Sequence, residues 1–158
     1  MTAGKFTIRV YGLLISKVNN ILVTDFSQIF QLSGLESIPS DLFKFNTEVT
    51  TFASAFSRTK ITSIPSNLFS YCSKVTDFSN TFYTCLNLIT IPSDIWSGCT
   101  GVTYFNTTFQ QCSALTGITE NLFRYNTQVT SFNTTFDGCA NLTQIPNDIF
   151  RYNLLVTD

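Results

Sequence analysis

The sequence contains no histidine, and this absence narrows the chemistry open to the chain. Histidine is the commonest general base and metal ligand, and it activates the nucleophile in Ser-His and Cys-His enzymes. The five cysteines include no Cys-x-x-Cys spacing, which many metal sites use. We therefore expect no enzyme activity, no metal site and no cofactor.

Charged residues are also scarce. They make up 12% of the 158 residues, whereas about a quarter is usual in globular domains. The 9 Lys and Arg against 10 Asp and Glu give a net charge of −1, and no basic cluster exists to neutralise phosphate groups. We therefore expect no nucleic-acid partner. With 44% hydrophobic residues, the chain is too apolar for a disordered segment.

Long apolar runs are missing as well. A helix that crosses a bilayer needs about 20 apolar residues, and no run approaches that length, so we expect no membrane span. A secretory leader needs a basic start and a longer apolar core than residues 10–15, which Arg9 and Lys17 closely bracket. No leader is visible, so either the protein is not exported by that route or the leader lies outside this chain.

The sequence does contain an internal repeat. The phrase Val-Thr-x-Phe opens units at residues 23, 49, 75, 102 and 129, with a partial sixth unit at 156, so the steps are 26 or 27 residues. A second Phe follows four residues after each phrase. Next come Leu/Ile-x-x-Ile, usually followed by Pro, and then Leu/Ile-Phe/Trp. Stacked repeats bury a continuous core, so we expect one column of the second Phe residues: Phe30, Phe56, Phe82, Phe109 and Phe136.

These phrases predict a β-rich α/β solenoid, a right-handed coil of about five repeats over residues 23–158. Val-Thr-x-Phe and Leu-x-x-Ile are expected to form short parallel strands because their residues favour β structure. The Ser-Asp or Ser-Asn pairs after Pro are expected to start single helical or 3₁₀ turns. Residues 1–22 lack the phrases and predict an N-terminal β-hairpin cap, with strands over 6–11 and 21–23 and a turn near 18–20.

The order of the phrases resembles the BspA-type leucine-rich repeat. The variant it resembles has Val-Thr-Asp-Met followed by Met-Phe-x-x-Cys, and this chain has Phe where Met is usual. The resemblance covers residues 23–158. It is clearest at residues 85–92 (Cys-Leu-Asn-Leu-Ile-Thr-Ile-Pro), 99–105 (Cys-Thr-Gly-Val-Thr-Tyr-Phe) and 108–112 (Thr-Phe-Gln-Gln-Cys).

The resemblance implies a non-catalytic leucine-rich-repeat protein that mediates protein–protein interaction or cell adhesion. Such proteins are mostly surface-exposed or secreted by microbes, so the expected ligand is a protein or a glycan on a host or neighbouring cell. Related repeats in phage particles suggest an alternative, a structural or receptor-binding component of a virion, which needs no leader. The last coil is predicted to be uncapped, and end-to-end self-association through it is a further expectation.

Positions that vary between repeats on the two predicted strands are the candidate binding residues, because solenoids bind through faces to which each repeat contributes. Tyr104 and Ile89 are the expected anchors, since large side chains, aromatic ones above all, dominate binding energy. A merely solvated strand face is the alternative. The first strand supplies Asp25, Thr51, Asp77, Tyr104 and Ser131. The second supplies Glu36, Thr62, Ile89, Thr116 and Thr143.

Cysteine and threonine also recur in register. Cys72 aligns with Cys99, and a second row holds Cys85, Cys112 and Cys139. We expect buried thiols, with disulfides between neighbouring repeats as the alternative. The Thr of each Val-Thr-x-Phe phrase predicts an exposed row. That row could instead order water or bind a regular surface such as ice or a glycan.

Overall fold

The computed structural model describes residues 17–18 and 21–158. Strand β1 (Lys17–Val18) pairs antiparallel with β2 (Ile21–Leu22), with Lys17 opposite Leu22 and Val18 opposite Ile21. The described residues contain no helix and no other strand; the remainder is built from turns and isolated parallel bridges. The predicted strand over residues 6–11 and part of the predicted turn lie outside the described residues.

The predicted β-rich α/β solenoid is therefore wrong. Strands fail to form because the apolar residues of each phrase are three positions apart, whereas a strand with one buried face needs a spacing of two. In Val-Thr-x-Phe the outer residues are buried and the middle two are more exposed, as in Val75 and Phe78 around Thr76 and Asp77. Leu-x-x-Ile has the same pattern. Neighbouring Val-Thr-x-Phe phrases are therefore joined by isolated bridges only, and the Leu-x-x-Ile phrases by a single bridge, between Thr90 and Gly117.

The predicted helical turns are also absent from the described residues. After Pro39, only alternate N–H groups, on Leu42, Lys44 and Asn46, bond to the carbonyl three residues earlier, so the turns stay separate.

The connector after Val-Thr-x-Phe also lacks a helix. After Phe26, the N–H groups of Ile29, Gln31 and Ser33 bond to the carbonyl three residues earlier. The N–H groups between them, on Gln28, Phe30 and Leu32, donate to the next repeat at Ala53, Ala55 and Ser57. A helix needs every successive N–H for local bonds. Because alternate N–H groups bond to the neighbouring repeat, the chain forms separate turns and no helix.

This connector after Val-Thr-x-Phe also has left-handed backbone at two positions in each of the five repeats. In the third repeat these are Asn80 (φ 58°) and Thr84 (φ 57°), and in the fourth Thr107 and Gln111. The fifth repeat has Gly138 (φ 71°) at the second position. Left-handed backbone is costly for β-branched residues such as Thr84. The inter-repeat hydrogen bonds on either side hold it in place.

Successive repeats lie directly on one another. Each Thr of Val-Thr-x-Phe donates its N–H to the same Thr carbonyl of the preceding repeat, as in Thr103 to Thr76 at 2.8 Å. The following Phe donates in the opposite direction, as in Phe78 to Tyr104 O at 3.0 Å. These paired bonds fix the register at 26 or 27 residues, so equivalent residues of all repeats form rows along the stack.

Aromatic rings fill the core in columns. The predicted column from Phe30 to Phe136 is present: its neighbouring rings are stacked, with centroids 5.3, 5.5, 5.5 and 5.7 Å apart. A parallel column runs through the phrase-ending Phe residues, with Phe52, Phe78 and Phe105 each 5.8 Å apart. Trp96 lies between the two columns and is fully buried. This core rigidly positions the exposed rows described next.

Candidate binding surfaces

The five candidate residues of the first phrase form one row along the stack, here called the variable row. Each is joined to the next by a parallel bridge, in the order Asp25, Thr51, Asp77, Tyr104 and Ser131. Asp25 and Tyr104 are exposed, and the other three are half-buried. The structure therefore brings together all five residues on one edge of the molecule.

Four members of the variable row have a structural role that the sequence analysis missed. Their side-chain oxygens accept the backbone N–H two residues ahead, which closes the first turn of the connector. The bonds are Asp25 with Ser27 (2.7 Å), Thr51 with Ala53 (3.0 Å), Asp77 with Ser79 (2.8 Å) and Ser131 with Asn133 (3.3 Å). Hydrogen bonds from Ser27 lower the pKa of Asp25 below its ordinary value. These residues cap turns.

Tyr104 is the exception in the variable row. Its hydroxyl lies beyond the ring, too far along the side chain for the capping geometry, and 46% of the residue is exposed. Asp77 and Ser131 flank it in the neighbouring repeats. The fourth repeat therefore has a large amphipathic side chain where the other repeats have a short turn cap.

The candidates of the second phrase form a less continuous row. Ile89 N–H donates to Thr62 O (3.1 Å), and Thr116 N–H donates to Ile89 O (3.2 Å). Glu36 and Thr143, at the two ends, are exposed. Ile89 is 49% exposed, and Leu86, three residues before it in sequence, is also exposed. Among the described residues, no hydrogen bond or ring contact joins this row to the variable row.

The threonine row lies on the outside, as predicted. Thr24, Thr50, Thr76 and Thr157 are exposed, and Thr103 and Thr130 are half-buried. From Thr50 onwards, each hydroxyl donates to the Thr carbonyl of the preceding repeat, for example Thr103 to Thr76 O at 3.0 Å. The side chains therefore reinforce the backbone ladder, and ordering of water or binding of a regular surface such as ice or a glycan stays an alternative prediction for this row.

The cysteines are free, buried thiols, which confirms the first of the two alternatives. Cys85, Cys112 and Cys139 each donate to a Phe carbonyl of the preceding repeat at 3.1 Å. Burial raises the pKa of Cys72 to about 12 and that of Cys85 to about 11. The thiolate, which is the reactive form, is therefore suppressed at neutral pH. These thiols stabilise the stack.

A further exposed row follows Leu/Ile-Phe/Trp by two residues, and the sequence analysis did not single it out. We call it the corner row: Phe45, Tyr71, Tyr125 and Tyr152, with Gly98 in the third repeat. The four aromatic residues are 42–59% exposed. Cations lie over three of the rings, with Lys44 5.7 Å from Phe45, Arg124 5.3 Å from Tyr125 and Arg151 5.5 Å from Tyr152. The repeat spacing was the signal that could have revealed this row.

No protein-family model matches the chain, and a search of curated proteins finds no similar sequence. Residues 17–18 and 21–158 include no helix with the length and apolar character needed to cross a membrane. Over the same residues, no three Cys, Asp or Glu side chains are grouped in a way that could hold a metal ion.

Proposed function

We propose that this chain is a binding protein that contacts a protein partner at a microbial cell surface or outside the cell. The variable row and the second row supply the contacts. This keeps the adhesion role implied by the resemblance to BspA-type repeats, but on a stack of turns instead of strands and helical turns.

Tyr104 is the observation that carries the proposal. A capping oxygen at this position closes the connector turn in the other four repeats, so its replacement by Tyr gives up a structural hydrogen bond. Tyrosine offers a large, amphipathic contact surface with little side-chain entropy to lose, which suits an interface anchor. A residue retained at a structural disadvantage is most simply explained by a function outside the fold.

Two exposed hydrophobic residues of the third repeat, Ile89 of the second row and Leu86 three residues before it, provide further contact area. Neither is needed to complete the aromatic core, and both leave roughly half of their surface in water. Leaving such side chains exposed has a cost of about 25 cal/mol per Å² of apolar surface, which a partner would recover on binding.

The experiment measures binding of the full chain to immobilised laminin, collagen and mucin, and to intact epithelial cells. Tyr104→Ser and Ile89→Ser are compared with Asn67→Ser, an exposed position that lies outside both rows. We expect retention on at least one surface and about a tenfold loss with Tyr104→Ser. Equal binding by all variants, or retention on no surface, would contradict the proposal.

A further inference from the structure

We infer that the protein partner of the variable row presents a basic segment, and that an Arg side chain of this segment lies against Tyr104 and pairs with the Asp77 carboxylate. This inference rests on the proposed protein-binding function and adds the chemistry of the partner. It follows from the distribution of charge around the stack, from the adjacency of Tyr104 and Asp77, and from the hydrogen bonds of Asp77.

Charge is distributed unevenly around the stack. One side is formed in each repeat by the Thr of Val-Thr-x-Phe, the variable-row residue and the connector that follows, and we call it the connector side. It contains no Lys or Arg, but it has the carboxylates of Asp25, Asp77 and Asp137. The connector side comprises residues 24–31, 50–57, 76–83, 103–110 and 130–137. The Lys and Arg residues of the described chain all lie elsewhere: Lys17, Lys44, Arg58, Lys60, Lys74, Arg124 and Arg151.

The carboxylates of the connector side are not neutralised by cations from other parts of the described chain. Over residues 17–18 and 21–158, the one ion pair joins Lys74 to Glu48. Neutral groups donate to the three carboxylates instead, so their charge is retained, and a negative surface attracts basic segments and repels acidic ones. The donors are Ser27 N–H to Asp25 (2.7 Å), Ser79 N–H to Asp77 (2.8 Å) and the Gln110 amide to Asp137 (2.6 Å).

Tyr104 and Asp77 are neighbours on the connector side. A parallel bridge joins the two residues, and the N–H of Phe78 donates to the Tyr104 carbonyl at 3.0 Å. Paired residues of such a ladder are about 4.8 Å apart and project to the same side. A guanidinium can lie over an exposed aromatic ring while it donates to a carboxylate beside the ring. The pair of Tyr104 and Asp77 therefore fits one Arg side chain.

Asp77 can bind a cation and keep its turn cap. Its Oδ1 accepts the Ser79 N–H, whereas no donor among the described residues bonds to its Oδ2. The cap already fixes the carboxylate, so little side-chain entropy is lost when Oδ2 pairs with a partner. On the other side of Tyr104, the Ser131 hydroxyl already donates to Asn106 and Asp158. The cation is therefore expected on the Asp77 side of the ring.

The test uses a short labelled peptide of repeated Arg-Ser-Gly units and a matched peptide in which Gln replaces every Arg. Binding to the full chain is measured by fluorescence anisotropy at low and high salt, and spermine is tested as a polycation without a peptide chain. We expect the Arg peptide to bind at least about tenfold more tightly than the Gln peptide, and more weakly as salt increases. Equal binding of the two peptides, binding of neither, or tighter binding of spermine would overturn the inference.

Matched variants locate the site. Asp77→Asn keeps an oxygen for the Ser79 N–H and removes only the charge, so it should weaken binding of the Arg peptide about threefold. Asp94→Asn removes an exposed carboxylate of the same repeat that lies outside the connector side, and it should leave binding unchanged. Tyr104→Ser should weaken binding about tenfold, because an interface anchor contributes more than an exposed ion pair. Tyr104→Phe keeps the ring and should have little effect.

The variants also define what would contradict the site. Equal losses with Asp77→Asn and Asp94→Asn would show a response to net charge alone, and unchanged binding by Tyr104→Ser would show that the ring takes no part. Either result overturns the inference. Fluorescence of the single, buried Trp96 confirms that each variant is folded.

The inference and the proposed function can fail separately. If a cell or matrix surface retains the chain and the Arg peptide does not compete, the basic partner is rejected and the proposed function stands. If no cell or matrix surface retains the chain, but the Arg peptide binds in a way that depends on Asp77 and Tyr104, the proposed function is rejected and the cation site stands.

Discussion

The fifth repeat contains the same phrases as the third and fourth repeats, but its aromatic residues are less completely buried. Phe78 and Phe105 are fully buried, whereas the equivalent Phe132 is half-buried. Trp96 and Phe123 are also fully buried, whereas Phe150 is 39% exposed. A repeat therefore does not bury its own aromatic residues: each side of its core is covered by the repeat next to it.

The hydrogen bonds show the same difference. Phe105 N–H donates to Ser131 O at 3.2 Å, and in the fifth repeat the Asp158 carboxylate accepts the equivalent Phe132 N–H at 3.3 Å. Thr107, Phe109 and Gln111 donate to the fifth repeat, but their equivalents Thr134, Phe136 and Gly138 have no acceptor among the described residues. Stability in this molecule thus depends mainly on interfaces between repeats.

The difference in burial between the inner repeats and the fifth repeat is tested most strongly by removing one Phe ring from the column. Phe82→Ala should lower the free energy of unfolding by about 3–5 kcal/mol, because Phe56, Phe109 and Trp96 surround the ring and cannot close the cavity. Phe136→Ala, at the same position of the fifth repeat, should cost about 1–2 kcal/mol because its ring is already half-exposed. Urea unfolding measures both. Equal costs would contradict the conclusion that neighbouring repeats supply the burial.

A second test asks which hydrogen bonds hold neighbouring repeats together. Thr108 and Thr103 both donate a hydroxyl to the third repeat at 3.0 Å, to Phe78 O and Thr76 O respectively, but Thr108 is fully buried. Thr108→Val should cost about 1–2 kcal/mol because the buried carbonyls of Phe78 and Phe105 each lose one hydrogen bond from this hydroxyl. Thr103→Val should change stability by less than about 0.5 kcal/mol, since water can replace the hydroxyl. A larger effect at Thr103 would assign the main role to the outer ladder.

A third test uses pH and the interior thiols. Cys72 and Cys85 have folded-state pKa values of about 12 and about 11, above the ordinary value of 9.0. As pH rises above about 9, the unfolded chain loses these protons while the folded chain retains them, so folding becomes less favourable. Each thiol should contribute a decrease of up to about 1.4 kcal/mol per pH unit between its two pKa values.

The matched variants for this pH test come from the sequence itself. Thr59 occupies the position of Cys85 in the second repeat, and Asn126 occupies that of Cys72 in the fourth. The variants Cys85→Thr and Cys72→Asn should therefore fold and should flatten the decrease in stability between pH 9 and 10.5. An unchanged slope would show that other groups titrate over this range and that the thiols are not the cause.

Part of this architecture could be predicted from the sequence. The 26–27-residue period and the Phe column depend only on which residues recur, and both are present. The strands and helical turns could not be predicted from propensity, because Val and Thr favour strands only when the buried positions alternate. The need for alternate N–H groups to bond to the next repeat, and for Asn80 and Thr84 to adopt positive φ, becomes evident only in the stack.

For the candidate surfaces as well, the sequence predicted the positions of the residues better than their roles. The variable row was identified correctly as a set of aligned positions. Its capping function was visible in principle, because Asp25, Thr51, Asp77 and Ser131 all have an oxygen within two bonds of Cβ. The corner row lies on turns outside the predicted strands, and only the 27-residue spacing of Tyr125 and Tyr152 indicates it in the sequence.

The smallest expected effect concerns the turn caps and distinguishes stability from function. Asp77→Ala should lower stability by about 1 kcal/mol, because the Ser79 N–H loses its acceptor. Tyr104→Asp should raise stability by about 0.5–1 kcal/mol by introducing the missing cap, while weakening the proposed contact with a partner. Thermal unfolding and the cell-surface binding assay are measured on the same preparations. If Tyr104→Asp destabilised the fold instead, Tyr104 would be a structural residue, and the argument that it is retained for binding would fail.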